Sequence, residues 1–416
     1  MSTTVNKKPR FFYGYVVAAT SAIIMMVGWG TYFSYGLFFD SLLTEFGWSR
    51  AVTSAAFSLS TITSGVLGII SGRVSDRLGP KVITIFCGIC LAVGYVCMSL
   101  SNAAWQIYVV YGLVVAVGVS GLWAPMISTI ARWFVKRRGL ITGIVASGIG
   151  IGSLLLSPLV SQLIFAYGWR TTYVILSIIA LVVIIVAAQF LKRDPRQIGL
   201  SPYGEMTTAQ IATPQFQNLS YQQAIRTRQF WVLCVINFLF GYSQPTMMVH
   251  IVPYATGLGF PHIAAAGILA IIGAASIFGR VIIGGISDRI RVRYSLIAIL
   301  VLLLLSLSWL QFADNLWALS IFGIAFGFAW GGMSALQALV AVELFGLTAL
   351  GMIVGIFAFS FCLGGLFGPT ITGYMFDLFG SYQQAFLICA IAALAALISV
   401  MWLTPLKRGR DISSTQ

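Results

Sequence analysis

Arg280 is the residue from which chemistry can most directly be read. The stretch from Ala264 to Ile283 is apolar throughout except for Ser276 and this one arginine, and the next charge, Asp288, lies eight residues further on. Eight residues of helix span ~12 Å, so Arg280 is too deep to be an ordinary loop charge. Positions i−4 and i+4 are Ser276 and Gly284, so no acid lies within one turn. An arginine is always protonated and offers a planar fork of N–H donors that fits a carboxylate bidentately. A lone arginine in an apolar helix therefore points to a visiting organic anion, with snorkelling to the interface as the bland alternative.

Other polar residues occur at similar depth. His250 sits in Met247-Met248-Val249-His250-Ile251 and titrates near neutrality, which suits a coupled proton; a histidine hydrogen-bonded near a helix end is the alternative. Asn237 precedes it on the same segment. Trp330, Ser334 and Gln337 fall at i, i+4, i+7 and share one helical face. Phe359 and Cys362 are one turn apart, and Tyr32 follows Gly28-Trp29-Gly30-Thr31. Together with Ser276 they describe a cavity with aromatic walls and few polar groups.

The elements that position these residues follow from composition. Of 416 residues, 59% are hydrophobic and 8% charged. Soluble domains carry about 25% charged residues, so the surrounding solvent is lipid. Apolar runs of ~20 residues mark membrane spans. Twelve are read, at 12–40, 52–72, 81–100, 105–131, 139–165, 171–191, 229–257, 263–287, 294–312, 315–342, 349–375 and 382–404. The expected fold is an all-α membrane protein. Residues 192–228, with Pro195, Pro202 and Pro214, read as a cytoplasmic linker between halves 1–191 and 229–416.

The net charge of +14 does not indicate nucleic acid, because the cations cluster at the termini and in alternate loops. Those loops hold Arg73/Arg77/Lys81, Arg132/Lys136/Arg137/Arg138 and Arg289/Arg291/Arg293, whereas the intervening ones hold only Arg50 and Arg170. That alternation places both termini in the cytoplasm of a cell with this chain in its inner membrane. The six cysteines all lie in apolar runs without metal-site spacing, so no metal or cofactor is expected. No nucleophile–base set and no phosphate loop with its lysine is present, so the chain does not read as an enzyme.

The chain also repeats. Gly72-Arg-Val-Ser-Asp76-Arg77 recurs as Gly284-Gly-Ile-Ser-Asp288-Arg289, an offset of 212. Trp105/Trp317, Gly152/Gly364 and Gly168/Gly380 keep that offset. Twelve spans therefore resolve into two six-helix parallel repeats, an architecture that binds its substrate near the midplane between halves.

The segment Gly72-Arg-Val-Ser-Asp76-Arg77-Leu-Gly79-Pro-Lys81 resembles the loop signature of the major facilitator superfamily. Trp133-Phe134-Val135-Lys136-Arg137-Arg138-Gly139-Leu140, continuing into spaced glycines, resembles the fifth-span signature of its monocarboxylate porters. Phe11-Phe12-Tyr13-Gly14-Tyr15-Val16-Val17 keeps that family's first-span core but lacks its acid. The resemblance implies a substrate arginine in the eighth span, a cavity lined by spans one, four, seven and ten, and a conformational latch at Asp76/Arg77 and Asp288/Arg289. It also implies proton symport of a monocarboxylate such as lactate or pyruvate, with oxalate–formate antiport as the alternative. That antiporter family carries a lysine in the eleventh span, and Gly351 to Gly373 contains none.

Overall fold

Lipid offers backbone N–H and C=O groups no partners, so a spanning chain must satisfy them within helices. The computed structural model describes residues 12–204, 219–286, 292–346 and 350–403, and among these the regular elements are helices. The first group comprises α1 (Gly14–Phe46), α2 (Arg50–Leu78), α3 (Pro80–Ser99), α4 (Ala104–Trp133), α5 (138–167) and α6 (169–189). The second comprises α7 (Arg228–Gly257), α8 (His262–Ile286), α9 (Val292–Leu310), α10 (Leu316–Phe345), α11 (Leu350–Phe379) and α12 (Gln383–Met401). By continuous helix there are eleven apolar stretches among the described residues. The twelfth arises because Gly168, at φ 76° and ψ 162°, breaks the stretch Gly139–Gln189 into two. Only glycine tolerates that backbone without strain.

Two details depart from the sequence reading, and one expectation falls outside what the structure describes. The first helix continues past residue 40 to Phe46, with a bend at Ser34. Within α4, Val110–Val115 is π-helical and the helix breaks again before Ala124, so this span is not a regular rod. Asp288 and Arg289 lie outside the described residues; Asp76 sits in the last turns of α2, its side chain also outside them.

The repeat persists in three dimensions. Gly47 and Gly259, like Gly168 and Gly380, are separated by 212 and all have positive φ at helix ends. A Cβ on Gly152 would meet the Met26 carbonyl at 2.2 Å, and one on Gly364 would meet the Phe238 carbonyl at 2.0 Å. Met26 and Phe238 differ by the same 212, so α1–α5 and α7–α11 are one packing unit used twice. In lipid, where apolar burial does not drive association, such close backbone approach through small residues supplies the packing energy. Outside this core the helices turn Phe, Ile, Leu and Val outward, and Trp105 and Trp317 stand exposed at corresponding helix starts, as interfacial tryptophans do.

Between groups, α2 packs on α11, α5 on α8, and the outer part of α1 on α7. Gly65 meets Cys362 Sγ and Gly150 meets the Gly273 carbonyl, which places both seams near mid-helix. From there to the end bearing the termini, Gly139, Gly143, Gly284, Gly285 and Gly355 have nothing within 4 Å of a Cβ position.

Gly364 and Gly355 therefore predict opposite outcomes. Gly364→Ala forces α7 and α11 apart and should lower the thermal midpoint of the purified protein, at an overpacking cost of about 1–3 kcal/mol. Gly355→Ala should leave the midpoint unchanged. Equal shifts in a detergent thermal-unfolding assay would show that this contact does not set the packing.

Candidate functional site

In a helix the Cα–Cβ bonds lean toward the N-terminus. Arg280 therefore reaches back along α8, away from the end bearing the termini, and is 3% exposed. It does not snorkel. Its Nη1 donates to Ser276 Oγ at 2.9 Å, and Ser276 Oγ in turn donates to the Gly273 carbonyl at 2.7 Å. The guanidinium carbon stands 5.0 Å from the Trp330 ring centre, a cation–π contact. Nε is buried without a hydrogen-bond partner among the described residues. The expectation that Arg280 has no local partner is thus corrected in one respect: Ser276 holds it. Ser276 is neutral, however, and no carboxylate among the described residues forms an ion pair with Arg280. A positive charge is fixed in place and left uncompensated. Gly150 of α5 lies against both the Gly273 carbonyl and Ser276 Oγ, so this turn of α8 is at the seam between the two helix groups.

Trp330 extends the site across that seam: its ring meets Phe33 of α1 edge-on at 5.5 Å. Two turns along α10, Gln337 Nε2 donates to Asn237 Oδ1 of α7 at 3.0 Å, and Asn237 Nδ2 donates to the Leu233 carbonyl. Asn237, Met333, Gln337 and Phe357 line a recess there. Ser334 Oγ spends its proton on the Trp330 carbonyl of its own helix. Phe359 and Cys362 lie half-buried on α11, Cys362 at the seam with Gly65.

Two sequence candidates fall elsewhere. Tyr32 is buried inside the first group, its hydroxyl bonded to Ser60 at 2.8 Å and Thr61 at 3.2 Å, its ring stacked on Phe57 and Tyr111. His250 lies in a wall near the end remote from the termini. Its Nε2 is 2.8 Å from the Pro369 carbonyl, and Nδ1 is 3.2 Å from Tyr382 Oη. A carbonyl can only accept, so Nε2 carries the hydrogen and the neutral ring accepts the Tyr382 proton at Nδ1. Tyr382 Oη accepts in turn from Arg50 Nη1 at 2.7 Å.

That chain belongs to a seal closing the remote end. Asp377, in the last turn of α11, accepts from the Arg50 and Ala51 backbone N–H groups, each at 2.9 Å. The carboxylate of one group thus caps the α2 N-terminus of the other, where orphan N–H groups and the helix dipole both favour an anion. Arg50 lies 4.1 Å over Phe376. Nearby, Thr256 donates to Asp40 at 2.6 Å, His262 Nε2 stands 3.6 Å from Asp40, and Thr370 donates to Ser58. Arg170, the other isolated loop cation, pairs with Glu45 within the first group. The hydrogen bonds described between the two groups at their ends lie at this end. Sequence reasoning passed over Arg50, Asp377, Tyr382, Asp40 and His262. The available signal was scarcity: with ten acids in the chain, an acid at a span end warrants a partner.

Two repeated six-helix groups, a charged side chain at their seam and a polar seal across one end are the architecture of a membrane transporter. The family model for the Major Facilitator Superfamily matches residues 18–347 and 287–416, and the chain belongs to that superfamily. Monocarboxylate transporter 12 of Homo sapiens is 26% identical, with 96% of this chain and 82% of that protein covered. The oxalate:formate antiporter of Oxalobacter formigenes is also 26% identical, over 97% of this chain and 93% of its own length. Among solved structures, a bacterial homolog of the human lysosomal transporter Spinster, in its inward-facing, unoccupied conformation, matches with a TM-score of 0.69 at 16% identity. It covers 95% of each chain.

The Asp377 cap should be breakable without touching Arg280. Asp377→Asn keeps one acceptor oxygen and presents an amide where the other N–H now donates. A loss of about 1–2 kcal/mol would shift the closed population by roughly an order of magnitude. Pulsed electron resonance between spin labels at Thr44 and Leu378 should then show a longer-distance component. An unchanged distance distribution would remove Asp377 from the seal.

Proposed function

We propose that this chain is a secondary transporter of a small monocarboxylate such as lactate or pyruvate, carried with a proton by alternating access. One observation carries the reading: a buried guanidinium with an unused N–H and no acidic partner among the described residues, at the seam between two helix groups. A carboxylate is the group that matches its fork and cancels its charge. The names of the relatives agree on small organic anions. Between them, one cation favours one carboxylate, because a dianion would bring a second buried charge with nothing to neutralise it.

In this reading residues 1–191 and 229–416 rock as units about the seam, joined by 192–228. The basic loops face the cytoplasm of an inner-membrane protein, so the Asp377–Arg50 seal is the outer gate, shut here while the inner end stands open. Asp76 with Arg77, and in the sequence repeat Asp288 with Arg289, would latch the inner end in the opposite conformation. Arg280, Ser276, Trp330, Asn237, Gln337, Ser334, Phe359 and Cys362 surround the substrate path; Tyr32 supports it from behind.

His250 is the coupling candidate. A proton added at Nδ1 would turn that nitrogen into a donor toward Tyr382 Oη, and the Tyr382 hydrogen, already facing Nδ1, would have to swing away. Protonation and outer-gate geometry are thereby linked.

Arg280→Lys should insert normally but transport at least tenfold more slowly, since a point charge replaces a bidentate fork. Uptake within about twofold of wild type would defeat the assignment. In proteoliposomes with a pH gradient, wild type should accumulate monocarboxylate uphill. His250→Ala should lose that accumulation yet retain counterflow, which moves no net proton; accumulation retained in the variant would clear His250 of coupling. Uptake that ignores the gradient and requires anion on the opposite side would favour the antiporter reading instead.

A further inference from the structure

Two more buried donors face the same central space and are not used by any of the contacts above. On α1, Gly28 meets Leu122 of α4 and Gly30 meets Gly152 of α5, whereas Gly36 meets the Met248 and Val249 carbonyls of α7. Residues 29, 33 and 36 follow i, i+4, i+7 spacing and so share the Gly36 face, which looks toward the second helix group. Phe33 agrees, since it reaches Trp330. Trp29 packs on Phe33 with ring centres 5.6 Å apart. Trp29, Phe33, Trp330 and Arg280 thus form a row across the seam, with a nitrogen donor at each end. Trp29 Nε1 is buried and has no hydrogen-bond partner among the described residues.

Gln244 completes the pair. It lies seven residues beyond Asn237 on α7, hence on the same face, two turns nearer the outer gate. Asn237 marks that face as inward by reaching Gln337 of α10. Gln244 is 1% exposed, and its Nε2 likewise lacks a partner among the described residues. Buried N–H donors in folded proteins are nearly always paired, so an orphan calls for a ligand or a water. Neither group carries charge, and an indole cannot accept a hydrogen bond through its nitrogen. Such donors suit a carbonyl or hydroxyl oxygen. They suit a second carboxylate poorly, because its charge would remain without a cation.

We infer that Trp29 and Gln244 are specificity-determining residues, a second and uncharged anchor that selects monocarboxylates bearing a carbonyl or hydroxyl oxygen over plain alkyl acids. The inference rests on the monocarboxylate reading given above. Arg280 takes the carboxylate, and the two N–H groups take the further oxygen. An alkyl acid of the same length would fill the space and leave both donors unpaired, the circumstance in which hydrogen-bonding sites discriminate most strongly.

The test uses the full-length protein in proteoliposomes and two matched pairs of labelled acids: pyruvate with propionate, and 4-oxopentanoate with pentanoate. Each pair differs in one carbonyl, close to the carboxylate in the first and remote in the second. Wild type is expected to transport the oxo member of at least one pair with a kcat/KM about tenfold above its plain partner. Trp29→Phe and Gln244→Leu should each bring that ratio toward one, through a higher KM for the oxo acid. Two variants are used so that a folding failure in either leaves the other to decide. Equal use of both members of each pair by wild type overturns the inference, as does a ratio that survives in the variants because both acids fall together. Wild-type protein that moves none of the four acids overturns the monocarboxylate reading, and this inference with it.

Discussion

A buried charge with no acidic partner among the described residues, held in an apolar interior, is the constraint around which this structure is arranged. An arginine at the centre of a membrane helix costs about 2.5–3.5 kcal/mol even on permissive insertion scales. The fold offsets part of that with a hydroxyl at i−4 and an indole face, Ser276 and Trp330, neither of which cancels the charge. A carboxylate at i−4 would cancel that charge locally. A serine there holds the side chain in position and keeps its field directed at the seam between the helix groups.

The seam works because its backbones touch. Gly150 against the Gly273 carbonyl and Gly36 against the Met248 carbonyl are backbone contacts that a side chain would forbid, and Gly65 makes room for the Cys362 side chain. Two of them lie near mid-helix, and they leave little side-chain interdigitation between the groups. Within each group the Gly152–Met26 and Gly364–Phe238 contacts are equally close, which keeps each group rigid. Polar bonds between groups gather at one end, where Asp377 caps a helix of the other group and Arg50, Tyr382 and His250 follow in a chain. Those bonds involve helix ends and loops, so they can exchange for water when the gate opens.

Much of this was legible in the sequence. The spans, the repeat at 212 and the isolation of Arg280 are statements about hydropathy and spacing, and the membrane makes such statements binding. The boundary between the spans at 139–165 and 171–191 was legible too, though not the Gly168 backbone angle that makes it. One contact was not legible. The seal at the end remote from the termini joins Arg50 to Asp377, more than 300 positions apart, and nothing local in either announces the partner. His250 illustrates the same limit: its titration range is a property of the residue type, whereas its place beside Tyr382 and Pro369 is a property of three helices meeting. Tyr32 lies among Ser60, Thr61, Phe57 and Tyr111 because helical phase relative to neighbours, not depth, decides which way a ring turns.

The central claim is that Arg280 holds the substrate carboxylate. Solid-state NMR on reconstituted protein, with 13C at the carboxyl carbon of pyruvate and 15N in the arginine side chains, measures that contact directly. A bidentate pair with N···O distances of about 2.7–2.9 Å predicts strong carbon–nitrogen dipolar dephasing, absent from the Arg280→Lys protein. Dephasing of equal strength in that variant, or none in wild type under saturating pyruvate, would place the carboxylate elsewhere and contradict the account.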